Sequence, residues 1–223
     1  MSVLQRPGIL GRRTQNRVTG LTAAFSVTIV EALTVSAWFA LVVFESRTPF
    51  TALAGLSILL FGAVLRTGIL ATTVGRLENL TPSRRTVSAI VFAGSWPCWL
   101  LVAEGIGGPE GLIVAGAVLS ALLSAHCSLE RRFVRSHTMV PPRNIVPVPR
   151  TISALVPGLL LAAGASTLLA VTWYADWSVV TFAFPTVAET VALEIRSVLA
   201  GFAAFACFSF VAQERRFAWL HSP

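Results

Sequence analysis

The arrangement of arginines between hydrophobic stretches constrains this sequence more than any other feature. The chain has 17 basic residues, all of them Arg, and 14 of these fall into clusters within 6–17, 76–85, 131–150 and 215–216. Two hydrophobic stretches separate each cluster from the next. Short cytoplasmic segments of membrane proteins are enriched in Lys and Arg. The pattern therefore predicts six transmembrane helices with both termini in the cytoplasm.

Composition supports the same class, an all-α integral membrane protein. Charged residues make up 12% of the chain, which is about half their share in a soluble domain. Six spans of about 20 residues each would occupy most of the sequence. We predict a cytoplasmic segment at 1–20, a membrane domain at 21–217 and a cytoplasmic tail at 218–223. The predicted spans are residues 21–44, 51–74, 87–103, 111–127, 152–171 and 191–212.

Short matching segments suggest that the spans form three helical hairpins. Arg85 to Ala89 and Arg150 to Ala154 both read Arg, Thr, an aliphatic residue, Ser and Ala, and they open the third and fifth spans. Alternatively, a capping residue and an arginine recur because every span needs an end. Both interpretations stay open at the level of sequence.

Glu31 and Arg66 are charged residues that the sequence places deep in the membrane. Glu31 lies 16 residues before Arg47, in the turn between the first two spans, and Arg66 lies 19 residues after it. At 1.5 Å per residue they lie at similar depths, roughly 24 and 28 Å from the turn. Charged residues at such depth are usually paired or face the bundle interior. We predict an intramembrane ion pair that either locks the hairpin or forms a transport site.

The arginines at the cytoplasmic ends of the spans predict contact with lipid. The net charge of +7 would suggest nucleic-acid binding in a soluble protein. Beside membrane spans, an anionic leaflet attracts each basic side chain by about 1 kcal/mol. We therefore expect the lipid bilayer and its anionic headgroups as partners, and no nucleic acid. The predicted headgroup contacts are Arg84, Arg85, Arg131, Arg132, Arg215 and Arg216.

Small residues recur at every fourth position on faces of several spans. The clearest sets are Gly158, Ala162, Ser166 and Ala170 in the fifth span and Gly116, Ser120, Ser124 and Ser128 in the fourth. Helices in lipid associate where their backbones can approach closely. These faces could serve the core of the protein, a membrane-protein partner or a second copy of the chain.

No residue pattern predicts catalysis or a bound metal. Cys98, Cys127 and Cys207 form no CxxC motif, and one histidine at membrane depth, His126, cannot supply the ligands of a haem or metal site. Phosphate-loop and dinucleotide motifs are absent. No histidine follows Ser166 at membrane depth to act as its base. We expect no catalytic residue, no metal and no cofactor.

These observations favour a non-enzymatic subunit or accessory component of a membrane assembly. The alternative is a transporter or channel for a small solute or ion that uses Glu31 and Arg66. A water-accessible cavity beside Glu31 would favour transport, whereas a sealed pair would remove its basis. The absence of Lys and the abundance of Ala, Val and Gly are typical of a GC-rich prokaryotic genome. We expect a multi-pass protein of a prokaryotic cell membrane.

Overall fold

Six helices long and apolar enough to cross a membrane make up most of the computed structural model of this chain. The structure describes residues 9–74, 82–135, 152–175, 178–185 and 190–220, with side chains described at 18–70, 72–73, 86–130, 155–175 and 197–218. The helices are α1 (Ile9–Phe44), α2 (Pro49–Val74), α3 (Pro82–Ile106), α4 (Gly108–Arg135), α5 (Ile152–Tyr174) and α6 (Ser197–Leu220). The prediction of a polytopic helical membrane protein is therefore confirmed.

The helices extend beyond several of the predicted spans. The first helix already begins at Ile9, and α4 continues to Arg135. Only Gly107 separates α3 from α4, and both Gly107 and Gly108 have positive φ, at 72° and 62°. Glycine adopts this left-handed conformation without the steric cost that a Cβ would impose. The reversal between α3 and α4 can therefore be very short.

The sixth membrane helix begins later than the sequence predicts. The predicted start at 191 is wrong, because β2 (Thr190–Arg196) pairs antiparallel with β1 (Ser178–Pro185) before α6 starts. Large aliphatic residues occur at every second position of β2, which is the period of a strand: Val191, Leu193 and Ile195. A two-stranded sheet has unpaired edges, which lipid hydrocarbon does not tolerate. Glu194 and Arg196 thus lie on a strand and not in the sixth helix.

Each helix packs against its neighbours in sequence, and α6 also packs against α1, so that the six helices close into a ring. Thr34 lies against Gly62 and Trp38 against Gly55, which makes α1 and α2 antiparallel. Arg47, in the α1–α2 loop, binds Glu104 near the end of α3. We call the end of the bundle that carries these loops the loop end, and the opposite end, where α1 begins and α6 ends, the terminal end.

Aromatic side chains of α3 reach across the interior of the ring. Trp96 and Trp99, on either side of Pro97, are fully buried. The ring of Trp99 lies 6.4 Å from that of Phe39 on α1, and the ring of Trp96 lies 5.7 Å from that of Phe205 on α6. These contacts join α3 to helices that are not its neighbours in sequence.

The small-residue faces predicted in the fourth and fifth spans pack against each other. A Cβ at Gly158 of α5 would lie 2.9 Å from the backbone nitrogen of Ser124 and 3.0 Å from the carbonyl oxygen of Ser120, both on α4. A Cβ at Gly116 of α4 would lie 2.8 Å from the hydroxyl of Ser166. These two faces are thus used inside the chain rather than left open to a partner.

Candidate functional site

Buried charged and polar side chains gather between the aromatic core and the terminal end. We call them the polar cluster, and its members come from α1, α2, α3, α4 and α6: Glu31, Arg66, Ser88, His126, Glu130, Ser209, Gln213 and Arg216. A second apolar layer, formed by Ala23, Ala24, Val27, Leu70 and Phe217, lies about one helical turn nearer the terminal end. The cluster is therefore enclosed by apolar residues on two sides.

Glu31 connects the first helix to the last. One carboxylate oxygen, Oε2, accepts a hydrogen bond from the hydroxyl of Ser209 at 2.9 Å and another from the amide of Gln213 at 2.7 Å. Ser209 and Gln213 are four residues apart, so they share one face of α6. The other oxygen, Oε1, is buried without a hydrogen-bond partner. One of the two carboxylate oxygens of Glu31 thus lacks a hydrogen bond, although the residue is only 2% exposed.

Arg216 extends the network from α6 to α4. Its Nη1 donates to the side-chain oxygen of Gln213 at 3.2 Å, and its Nη2 donates to Glu130. The sequence predicts a headgroup contact for Arg216, and the structure instead buries this residue and pairs it with a carboxylate. Arg215 beside it is exposed. The side chains of the other predicted headgroup contacts, Arg84, Arg85, Arg131 and Arg132, lie outside the described residues.

Glu130 is the second carboxylate of the cluster and has several neighbours. Besides Arg216, the hydroxyl of Ser88 lies 3.5 Å from Oε1, and Nε2 of His126 lies 3.1 Å from the same oxygen. Neither ring nitrogen of His126 makes a well-directed hydrogen bond. His126 therefore lies close to Glu130, but the N–H direction is poor for a hydrogen bond.

Arg66 reaches the cluster from α2 but contacts none of the carboxylates whose side chains the structure describes. Its guanidinium carbon lies 4.1 Å from the centre of the Phe92 ring, a cation–π arrangement. Nε and Nη1 are buried without hydrogen-bond partners. Glu31 and Glu130 attract Arg66 electrostatically, yet the salt bridges among the described side chains do not include Arg66.

The predicted direct ion pair between Glu31 and Arg66 is consequently not formed. The structure buries both residues, at 2% and 3% exposure, in the same cluster. Ser209 and Gln213 occupy one oxygen of Glu31, and Phe92 covers one face of Arg66. Similar depth in the membrane fixes the positions of Glu31 and Arg66 along their helices, but it does not determine which side chains they contact.

Unpaired donors outnumber unpaired acceptors in this part of the interior. Eight buried side-chain atoms among the described residues lack a hydrogen-bond partner. Four are donors only, namely Nε and Nη1 of Arg66 and the indole nitrogens of Trp96 and Trp99, whereas Oε1 of ionised Glu31 is an acceptor only. The others belong to Ser124 and His126, which can donate or accept. Buried polar atoms normally have partners, so such a group calls for an explanation.

Among the described side chains, the cluster leaves polar atoms without partners but does not align a nucleophile with a base. Within the side chains that the structure describes, no group of three or more His, Cys, Asp or Glu could hold a metal ion. The hydroxyl of Ser124 lies against Gly158 and makes no hydrogen bond to His126.

Sequence reasoning missed much of this cluster. Glu130, Ser209 and Gln213 stand near the ends of apolar stretches, where polar residues are ordinary. One usable signal was the spacing of His126 and Glu130, which are four residues apart and share a face of α4. Another was the motif Glu-Arg-Arg-Phe, which ends both the fourth and sixth spans.

No protein-family model matches this sequence, and no similar curated protein or solved structure was found.

Proposed function

We propose that this chain is a transporter that binds a small solute or ion at the polar cluster and moves it across a prokaryotic cell membrane. The observation that supports this most is the set of unpaired polar atoms on Glu31, Arg66 and His126. A purely structural network gains stability when every buried member is satisfied, and loses it when members are left over. Ionisable residues at membrane depth usually pair with one another or mark the path of a solute or ion, so members without partners favour the second role.

The proposed orientation places the terminal end in the cytoplasm. Arg215, near the end of α6, is exposed there, and the arginine clusters of the sequence all lie near or beyond the helix ends that point the same way. The positive-inside rule then assigns this end to the cytoplasm. The short reversals between α1 and α2 and between α3 and α4, with the packing of α5 against α6, support three helical hairpins within the ring.

The seam between α1 and α6 is the part of the ring that we propose to move. Glu31 holds it through Ser209 and Gln213, and Gln213 also receives a hydrogen bond from Arg216. A solute or proton that competes for Glu31 would weaken these bonds and loosen the seam. A ligand shifts such an equilibrium only by its difference in affinity for the two arrangements, and contact with Glu31 provides that difference.

A subunit or accessory role remains the second candidate, and one observation favours it. The cluster contains two carboxylates and two guanidinium groups, and Arg216 is already paired with Glu130. These contacts, with those of Glu31, could serve only to join α1, α4 and α6. We propose no chemical reaction in either role.

Uptake into proteoliposomes separates the two candidates. The purified full chain would be tested with labelled small carboxylates, amines, neutral polyols and alkali cations, as wild type, Glu31→Gln and Glu45→Gln. Glu45 is an exposed carboxylate just after α1, so it is a matched control. We expect uptake of at least one solute, lost in Glu31→Gln and kept in Glu45→Gln. If no solute enters, or if Glu31→Gln transports like wild type, the transport proposal fails.

A further inference from the structure

We infer that the guest of the polar cluster is a small organic carboxylate, bound by Arg66. This inference depends on the proposed function, because it names the class of solute that the same site takes. The starting point is the excess of unpaired donors, two of which belong to Arg66 and one to Trp96. A guest that supplies acceptor oxygens satisfies these groups, whereas a cation or an ammonium group does not.

The surroundings of Arg66 restrict how the guest approaches. Phe92 covers one face of the guanidinium at 4.1 Å, so an acceptor reaches it in the plane of its N–H groups. Nε and Nη1 lie in that plane without partners. Carboxylate oxygens match the planar N–H groups of Arg better than those of Lys, and hydrogen bonds between charged groups are the stronger kind.

The protein's own carboxylates leave these donors unused. Glu31 is bound through Oε2 by Ser209 and Gln213, and Glu130 is bound by Arg216. The formal charges of two Arg and two Glu cancel when His126 is neutral. The preference for an anion therefore comes from unpaired donors and not from net charge.

Aromatic rings next to Arg66 indicate that the carboxylate carries an apolar part. The Phe92 ring is 6.0 Å from that of Trp96 and 5.5 Å from that of His126. Trp96 in turn is 6.2 Å from Trp99. Ligand sites commonly combine such apolar walls with a few polar groups that fix orientation. A small aromatic or branched monocarboxylate fits this chemistry better than an inorganic anion.

Three probes of similar size and different charge test the inference. Benzoate, benzylamine and benzyl alcohol would be titrated into the purified full chain in detergent while tryptophan fluorescence and melting temperature are recorded. We expect saturable binding of benzoate and weaker or no binding of the other two. Arg66→Gln should weaken benzoate binding by about tenfold or more, because a hydrogen bond between charged groups contributes at least that factor.

Two further variants and one control complete the test. Trp96→Phe removes the indole N–H together with the ring that carries it and should also weaken benzoate binding. Arg66→Lys should do so because Lys lacks the planar N–H groups. Arg215→Gln removes an exposed arginine and should bind like wild type. Should Arg66→Gln fail to fold, Arg66→Lys and Trp96→Phe decide the matter.

The possible failures of the two proposals can be told apart. If benzylamine binds, benzoate does not, and Glu31→Gln abolishes binding, the carboxylate inference is overturned while a transport site remains. If benzoate binds equally to wild type and to the folded Arg66 variants, Arg66 is not its site and the inference is also overturned. If no probe binds to wild type, the inference fails, and the uptake panel described above independently decides whether any solute is transported.

Discussion

Removing one member of the Glu130–Arg216 pair is expected to destabilise the protein strongly. The side chains of Glu130 and Arg216 are 12% and 6% exposed, so water screens the pair little. Two charges about 4 Å apart attract each other by about 4 kcal/mol at an effective dielectric constant of about 20. Loss of one partner leaves the other buried and uncompensated, which costs about 3–5 kcal/mol in soluble proteins.

The membrane environment lowers that estimate. Polar contacts between membrane helices average about 0.6 kcal/mol, because the unfolded chain in lipid also finds partners. We therefore expect Glu130→Gln and Arg216→Gln each to lower the free energy of unfolding by about 2–4 kcal/mol. The double variant should lower the free energy of unfolding by at least about 1 kcal/mol less than the two single variants do in sum, because it leaves no unpaired charge from this pair.

The assay is reversible unfolding in mixed micelles, with all variants in the same detergent. Arg215→Gln is the control, because Arg215 is the exposed neighbour of Arg216 in sequence. Surface charges of this kind contribute about 0–1 kcal/mol. The reasoning is refuted if Arg216→Gln is no less stable than Arg215→Gln, or if the effects of Glu130→Gln and Arg216→Gln simply add.

Two further predictions concern helix packing and the loop end. Gly158→Ala should lower the free energy of unfolding by about 1–3 kcal/mol, because its Cβ would press on the α4 backbone. A Cβ at Gly68 would have nothing within 4 Å, so Gly68→Ala should be neutral or slightly stabilising. Equal melting temperatures for the two variants would contradict the packing. Glu104→Gln should lower the free energy of unfolding by less than about 1 kcal/mol, and high salt should abolish this difference in stability from wild type. The hydrogen bond to Glu104 raises the pKa of Arg47, so the stability that it adds is present at neutral pH and, as the pH rises, is lost only in strongly alkaline solution. A loss of that contribution between about pH 7 and pH 9 would contradict this.

The six helices could be predicted from the sequence because their signals are local. Hydrophobic length and flanking arginines both act within about 20 residues. The start of α6 was missed because Val191 to Ile195 are hydrophobic enough to read as part of a span, although they alternate as a strand does. Short apolar runs of this kind are ambiguous between helix and strand.

The members of the polar cluster were only partly predictable. Glu31 and Arg66 stand out because charges inside apolar runs are costly. The partner of Glu31, Ser209, lies 178 residues away in sequence, and no local pattern connects them. Arg215 and Arg216 look alike in sequence, yet successive residues point about 100° apart around a helix, so that one is exposed and the other buried.

Water access to the polar cluster is the most direct test of the central claim, and Cys127 provides a natural reporter. It is 7% exposed and follows His126 of the polar cluster on α4. In a Cys98→Ala/Cys207→Ala variant, Cys127 is the one remaining thiol. A charged, water-soluble methanethiosulfonate reagent would be added to proteoliposomes of this variant. Our account predicts that Cys127 reacts in the folded protein and that a transported solute slows the reaction. A thiol that reacts only after denaturation would contradict it.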